Sequence, residues 1–261
     1  PQDLEKDEFH AILIKMLKDG KVDDVAKILN QRSVVERVGN ELVATDYVDK
    51  FKDDFAYMAS ELEKAAETST NADFNEFLIL QAKALRTADP MLDAYADRKW
   101  ATLQDTPLEF TITRENYEDE MTGTIVENKE LSALLEKHGI SPIPKDFLGG
   151  RVGIVNKKGT HALLAIKEYL PTLAQNMPFA DEYEQNISTD TDAKQTMVDV
   201  DLVAVTGDVG EYRGGITLAE NLPNDDKLSL TICGGRRNVY HRQIRFISDM
   251  KKLQERLAKL A

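Results

Sequence analysis

The sequence predicts an α+β fold in which helix dominates, and three observations carry that reading. Through most of the first hundred positions apolar residues recur in steps of three and four, the period of a helix with one buried face. After Pro107 that period gives way in places to apolar–polar alternation, the period of a half-buried strand. The chain has 261 residues, 42% apolar and 30% charged, which is enough to bury a core without disulfide or metal staples. The expected division is a helical part over 1–104 and a mixed α+β part over 105–261.

The first thirty residues read as two short helices split at Gly20. Asp46 can cap a helix whose apolar residues Tyr47, Phe51, Phe55, Met58 and Leu62 share one face. The polar break at 68–71 ends it, and Asn71 can cap the next helix, with Phe74, Phe77, Leu78 and Leu85 buried. Pro90 restarts a helical run that continues to about Trp100. Leu108 to Thr113 alternates as a strand, Lys129 to His138 reads as a helix stopped by Gly139, and Arg151 to Asn156 as a short strand. A helix over Thr160 to Leu173 and a strand over Val198 to Thr206 follow. Gly215 to Ala219 and Leu228 to Cys233 read as extended. From about Val239 the chain turns helical, with Phe246, Met250, Leu253, Leu257 and Leu260 as an apolar stripe.

Charge excludes some functions. Lys plus Arg is 33 and Asp plus Glu is 46, a net charge of −13. So acidic a surface argues against nucleic acid and against an anionic membrane as partners. The single cysteine, Cys233, excludes an intramolecular disulfide and any Cys-rich zinc site. No apolar run approaches the roughly 20 residues of a membrane span. The expectation is a soluble protein, with the compartment open and cytoplasm ahead of periplasm; the oligomeric state is not legible. A first residue Pro1 without a signal pattern reads as a processed or excised start.

Most familiar motifs are missing. His10, His138, His161 and His241 are scattered, and each reads as a surface or satisfied histidine. There is no Walker loop and no nucleophile elbow. The glycine cluster at 149–153 precedes a strand, the wrong context for a dinucleotide. The acidic run from Asp190 to Asp201 lacks the pattern of a calcium loop and reads as solvated.

Two places remain. Glu115 and Tyr117 lie two apart at a strand end and so face the same side. A carboxylate and a phenol there can hold a cationic amine, or the segment is a charged strand end in water. The second place is the stretch from Asn221 to Asp226, whose Asn, Pro and Asp content is explained by a turn. Alternatively its two amide side chains grip a peptide backbone, since each both donates and accepts.

Together these segments resemble the dipeptidyl peptidase III family of zinc exopeptidases. The matching stretches are Trp100 with Leu103 to Phe110, Ile112 to Asp119, Val152 to Lys157, Gly214 to Asp226 and Gly234 to Ile244, in the family's order, and the helical run from Asp46 to Arg86 also fits. The resemblance implies that Glu115 and Tyr117 hold the free amino end of a peptide substrate and the region of its first scissile carbonyl. It implies that Asn221, Asn224 and Asn238 bind its main chain. The family's zinc motif, His-Glu-x-x-Gly-His with a later Glu, is missing. The resemblance therefore implies a substrate-binding portion that stops before the metal helix: no catalytic residue, metal or other cofactor in this chain, with zinc in a longer parent. Two other readings compete. One is a non-catalytic α+β module that binds peptides or proteins without metal; the other is a purely structural domain.

Overall fold

The computed structural model describes residues 3–87, 89–116, 120–178, 197–206, 219–223 and 228–242. The fold is α+β with helix dominant, as the periodicities predict. Two helices, α1 (Lys6–Lys18) and α2 (Val22–Ile28), are separated at Gly20, whose φ of 81° suits a residue without Cβ.

The first hundred residues are not all helical. Strands β1 (Ser33–Val38) and β2 (Glu41–Asp46) form an antiparallel hairpin. Gly39 sits first in the two-residue loop with φ 63°, the position where such a loop needs glycine. β-branched residues flank that loop on both sides, and this outweighs the helical spacing of the neighbouring segments. The helix expected from Asp46 is also two helices, α3 (Tyr47–Lys50) and α4 (Lys52–Thr68), broken at Phe51. Asp46 makes no side-chain cap. Asn71 does cap α5 (Ala72–Thr87): its Oδ1 accepts from the Phe74 N–H at 2.9 Å. Asp89 caps α6 (Pro90–Ala101) in the same way.

β3 (Leu108–Asn116) runs longer than the alternation alone suggests. After α7 (Glu120–Gly123) and a 3-10 turn, α8 (Lys129–Lys137) ends before Gly139 at φ 67°. β4 (Asp146–Val155), α9 (Lys157–Gln175) and β5 (Met197–Thr206) match three predicted elements and extend each of them. β6 (Ala219–Leu222), α10 (Ser229–Cys233) and β7 (Arg237–Arg242) follow. Two predictions are corrected here. Leu228 to Cys233 is not extended: Ile232 donates to the Leu228 carbonyl at 3.1 Å, and α10 lies against α6. β7 already has β5 on one side and β6 on the other, so no adjoining ladder position beside it is left for this segment. Val239 is not helical either. It is a central strand residue paired with Val198 and with Glu220. The C-terminal stripe from Phe246 lies outside the described residues, as do residues 215–218.

The five-stranded sheet has the order β3-β4-β5-β7-β6, antiparallel except for β5 and β7. In a flat sheet its outer strands would stand about 19 Å apart, four spacings of about 4.8 Å. Instead the Thr111 hydroxyl on β3 lies 3.3 Å from the Glu220 carboxylate on β6. The sheet therefore curls until side chains of its first and last strands touch. The inner face carries Glu109, Thr111, Arg151, Val200, Glu220, Arg237 and Val239, all buried.

Two hydrophobic cores result. One joins α4, α5 and α6 to the sheet through Phe55, Phe77, Trp100, Ile112, Val200 and Val239. The other joins α1, α2 and the hairpin to the 3-10 turn and α8 through Leu13, Val25, Leu42, Ile125 and Leu131. Each core takes residues from both sides of Gln104. α9 buries none of its residues, and Ile166, Tyr169 and Leu173 are more than half exposed. No helix among the described residues is long and apolar enough to cross a membrane.

His10 is buried in the second core, with Nε2 3.1 Å from the Thr124 hydroxyl. Burial first, then Lys6, lowers its pKa below the usual value. The unfolded chain then binds more protons than the folded one below about pH 6.5, so stability falls as pH drops through that value. His10→Gln is expected to flatten this slope in urea titrations at pH 5 and pH 7.

Candidate functional site

Two of the five predicted site residues come together. Asn221 on β6 and Asn238 on β7 are direct cross-strand partners, and the Asn221 Nδ2 donates to the Asn238 Oδ1. The two strands run antiparallel, so a pair in register puts both side chains on one face. Their sequence neighbours Glu220 and Val239 are buried, so by alternation the amides lie on the opposite, outer face of the curled sheet. Asn221 is exposed and Asn238 partly so. One bond between them leaves the Asn221 carbonyl and the Asn238 amide group to engage a partner.

The peptide after Leu222 is cis, and the Pro223 carbonyl accepts from Arg236 Nε at 3.0 Å. Asn224 and Tyr117 lie outside the described residues. Glu115 is the penultimate residue of β3, with its backbone opposite Phe147 of β4. It is four residues beyond Thr111, about 13 Å along an extended strand, and Thr111 touches the neighbour of Asn221.

The polar groups beneath this surface escaped the sequence reading. Arg237, 1% exposed, donates from Nη1 to the Leu103 carbonyl at 2.6 Å and from Nη2 to Glu109 at 2.8 Å. Its guanidinium lies 5.6 Å from the centre of the Trp100 ring, a cation–π contact. Trp100 Nε1 donates to the other oxygen of Glu109. Burial raises the Glu109 carboxyl above its usual range, against the downward pull of Arg237 and Trp100. Beside this cluster the Glu220 carboxylate takes Thr111 and faces Arg151 at 3.6 Å. The signal was present: Glu109 and Thr111 alternate with Phe110 and Ile112, and Arg237 directly precedes Asn238.

The acidic run read as solvated needs correction at Asp199, which is buried on β5. The first turn of α9 packs on it, with the Asp199 N–H donating to Thr160 Oγ1 at 3.0 Å. Cys233 is buried too, which pushes its thiol up to about 12 and leaves it unreactive. A groove of about 740 Å3 between α4 and α5 is lined by Glu63, Glu67, Ile79 and Lys83 among others, none of them a predicted site residue. Among the described residues no three His, Cys, Asp or Glu side chains gather as a metal site.

No family model and no curated protein matches the chain. Solved structures do. DPP III from Caldithrix abyssi aligns with a TM-score of 0.64 and 24% identity, over 92% of this chain and 40% of that one. Dipeptidyl-peptidase III from Corallococcus sp. strain EGB aligns with a TM-score of 0.55 and 18% identity, over 92% of this chain and 38% of that one. The chain thus spans about two fifths of the length of these proteins, and over that span it has the fold of a dipeptidyl peptidase III.

Proposed function

We propose that this chain is the substrate-binding portion of a dipeptidyl peptidase III-like metallopeptidase and holds a peptide by its amino end. The observation that carries the reading is the Asn221–Asn238 pair, two amides joined across neighbouring strands on an outer face. Its position supports the same reading. β6 is the last strand of the sheet among the described residues, and an edge strand offers main-chain donors and acceptors to an extended peptide. The curl that brings Thr111 to Glu220 also draws β3, whose penultimate residue is Glu115, toward β6; in the ladder Glu115 holds the same register side as Thr111, so the peptide would cross the edge of the sheet between its amino end and the amide pair.

In this reading Asn221, Asn238 and Asn224 pair with the peptide main chain. Glu115 takes the terminal ammonium, and Tyr117 donates to a nearby carbonyl oxygen. Fixing the amino end sets the register, so that the bond presented for cleavage lies a set number of residues in. The described residues do not fit a zinc ion. The zinc of the reaction would come from chain beyond these residues, and no step is assigned to it.

Calorimetric titration with tetra-alanine tests the reading. The chain is expected to bind the free-amine peptide and to bind its N-acetyl form at least tenfold more weakly. Glu115→Gln removes a charge-assisted bond of about 1.5–3 kcal/mol, so it should weaken the free-amine peptide about tenfold to a hundredfold. The same change should leave the acetylated peptide nearly unchanged. Equal affinity for both peptides would defeat the amino-end reading.

A further inference from the structure

Both asparagines are flanked by a buried charge, and each charge is held from a distant strand. Glu220 precedes Asn221 and takes Thr111 of β3 and Arg151 of β4. Arg237 precedes Asn238 and is held by Glu109 of β3, by the Leu103 carbonyl and by the Trp100 ring. Alternation sends these charges inward and the amides outward, so whatever fixes the one fixes the angle and register of the other. Arg237 is also the cross-strand partner of Leu222, the residue after Asn221. A guanidinium suits the task because its planar fork can hold two acceptors at once while its face lies on an indole.

We propose that Arg237 is a positioning residue for the outer amide pair: locked to Glu109, the Leu103 carbonyl and Trp100, it sets the register in which β7 presents Asn238 to Asn221. Buried on the inner face, it acts through Asn238 and not on the peptide itself. Its effect is carried through one backbone step and read at the Asn221–Asn238 bond. Glu220, held by Thr111 and Arg151, steadies β6 from the other side. The proposal rests on the peptide-binding reading only for its functional consequence; the geometric claim concerns this chain by itself.

The test uses the side-chain amide signals of Asn221 in the 15N-labelled full chain, which report whether Nδ2 is bonded. Wild type gives the bonded position, and Asn238→Ala gives the solvated one. The double variant Glu109→Leu/Arg237→Met replaces this pair with apolar side chains and strands neither of its two charges. It is expected to stay folded, to move the Asn221 signals to the Asn238→Ala position, and to bind tetra-alanine at least tenfold more weakly. Arg237→Lys keeps a charge for Glu109 but cannot also hold Leu103, so it should shift the signals partway. Glu109→Gln keeps only one of the two acceptors and turns an N–H toward the other donor, so it too should shift the signals partway. Asn221 signals at the wild-type position in the folded double variant would overturn the proposal, and if that variant does not fold, so would wild-type signals in Arg237→Lys. If wild type binds no tetra-alanine, the peptide-binding reading fails alone, and the amide signals still decide the role of Arg237.

Discussion

Glu109→Leu is expected to cost the fold about 3–5 kcal/mol, the usual result of removing one partner from a buried charge pair. Leucine fills the volume but accepts nothing. Arg237, 1% exposed, would lose its bond from Nη2, and the indole N–H of Trp100 would lose its acceptor as well. Neither group has a route to water without opening the sheet, so the loss is not repaired by hydration. Glu109→Leu with Arg237→Met should recover most of the loss, because the second change removes the stranded charge. Guanidinium denaturation of both variants at pH 7 measures the difference. The pH dependence has a definite sign. The Glu109 carboxyl is raised by burial, so the folded state binds its proton more tightly than the unfolded state does. Its contribution is therefore fully present below the ordinary glutamate value near pH 4.3 and is lost as pH rises through the higher folded value. Glu109→Gln should remove that part of the slope.

The second large effect is at Gly159. It lies in the first turn of α9, where a Cβ would stand 1.8 Å from Asp199 Oδ2, 2.6 Å from its Cγ and 2.9 Å from its Cβ. The whole Asp199 side chain is in the way, and Asp199 is buried on a central strand. Gly159→Ala is therefore expected to destabilise by about 3 kcal/mol, at the upper end of ordinary overpacking. In an exposed helix the same change would stabilise by roughly 0.5–1 kcal/mol. Lys158→Ala, one residue earlier and exposed, should stay within about 0.5 kcal/mol of wild type. Asp199→Gly should lessen the penalty of Gly159→Ala, and thermal unfolding of the four proteins gives the coupling.

These two sites also show where the sequence is legible. Periodicity located α5, α6 and α8 by their apolar spacing, and the structure shows caps at Asn71, Asp89 and Asn128, each accepting from a backbone N–H of the turn that follows; β5 was located by its alternating Val and Asp. The β1–β2 hairpin was legible in Val34, Val35, Gly39 and Val43, but helical spacing on both sides masked it. Val239 was misread because its strand is short, and its stability comes from β5 and β6, which are distant in sequence. The alternation in Leu108–Thr113 gave the strand but not its inner face. Polar Glu109 and Thr111 are 4% and 3% exposed, whereas Leu108 is 42% and Ile154 on the adjacent strand 50%. The hydrophobic pattern assigns apolar residues to the core, and here ion pairs occupy the inside of a curled sheet. Of the site, Asn221 and Asn238 were singled out through a family resemblance: the stretch from Asn221 to Asp226 by itself reads as a turn, and Asn238 carries no signal of its own. Arg237 was passed over because an arginine at the first position of a short strand reads as solvated, although its neighbour Asn238 was singled out.

The peptide-binding reading is tested most directly by mapping tetra-alanine onto the 15N-labelled chain by NMR. Saturating peptide is expected to shift the side-chain amides of Asn221 and Asn238 and the backbone amides at the end of β3 around Glu115, with smaller shifts for N-acetyl tetra-alanine. Shifts confined to another surface, such as the groove between α4 and α5, or an identical map for the acetylated peptide, would contradict it.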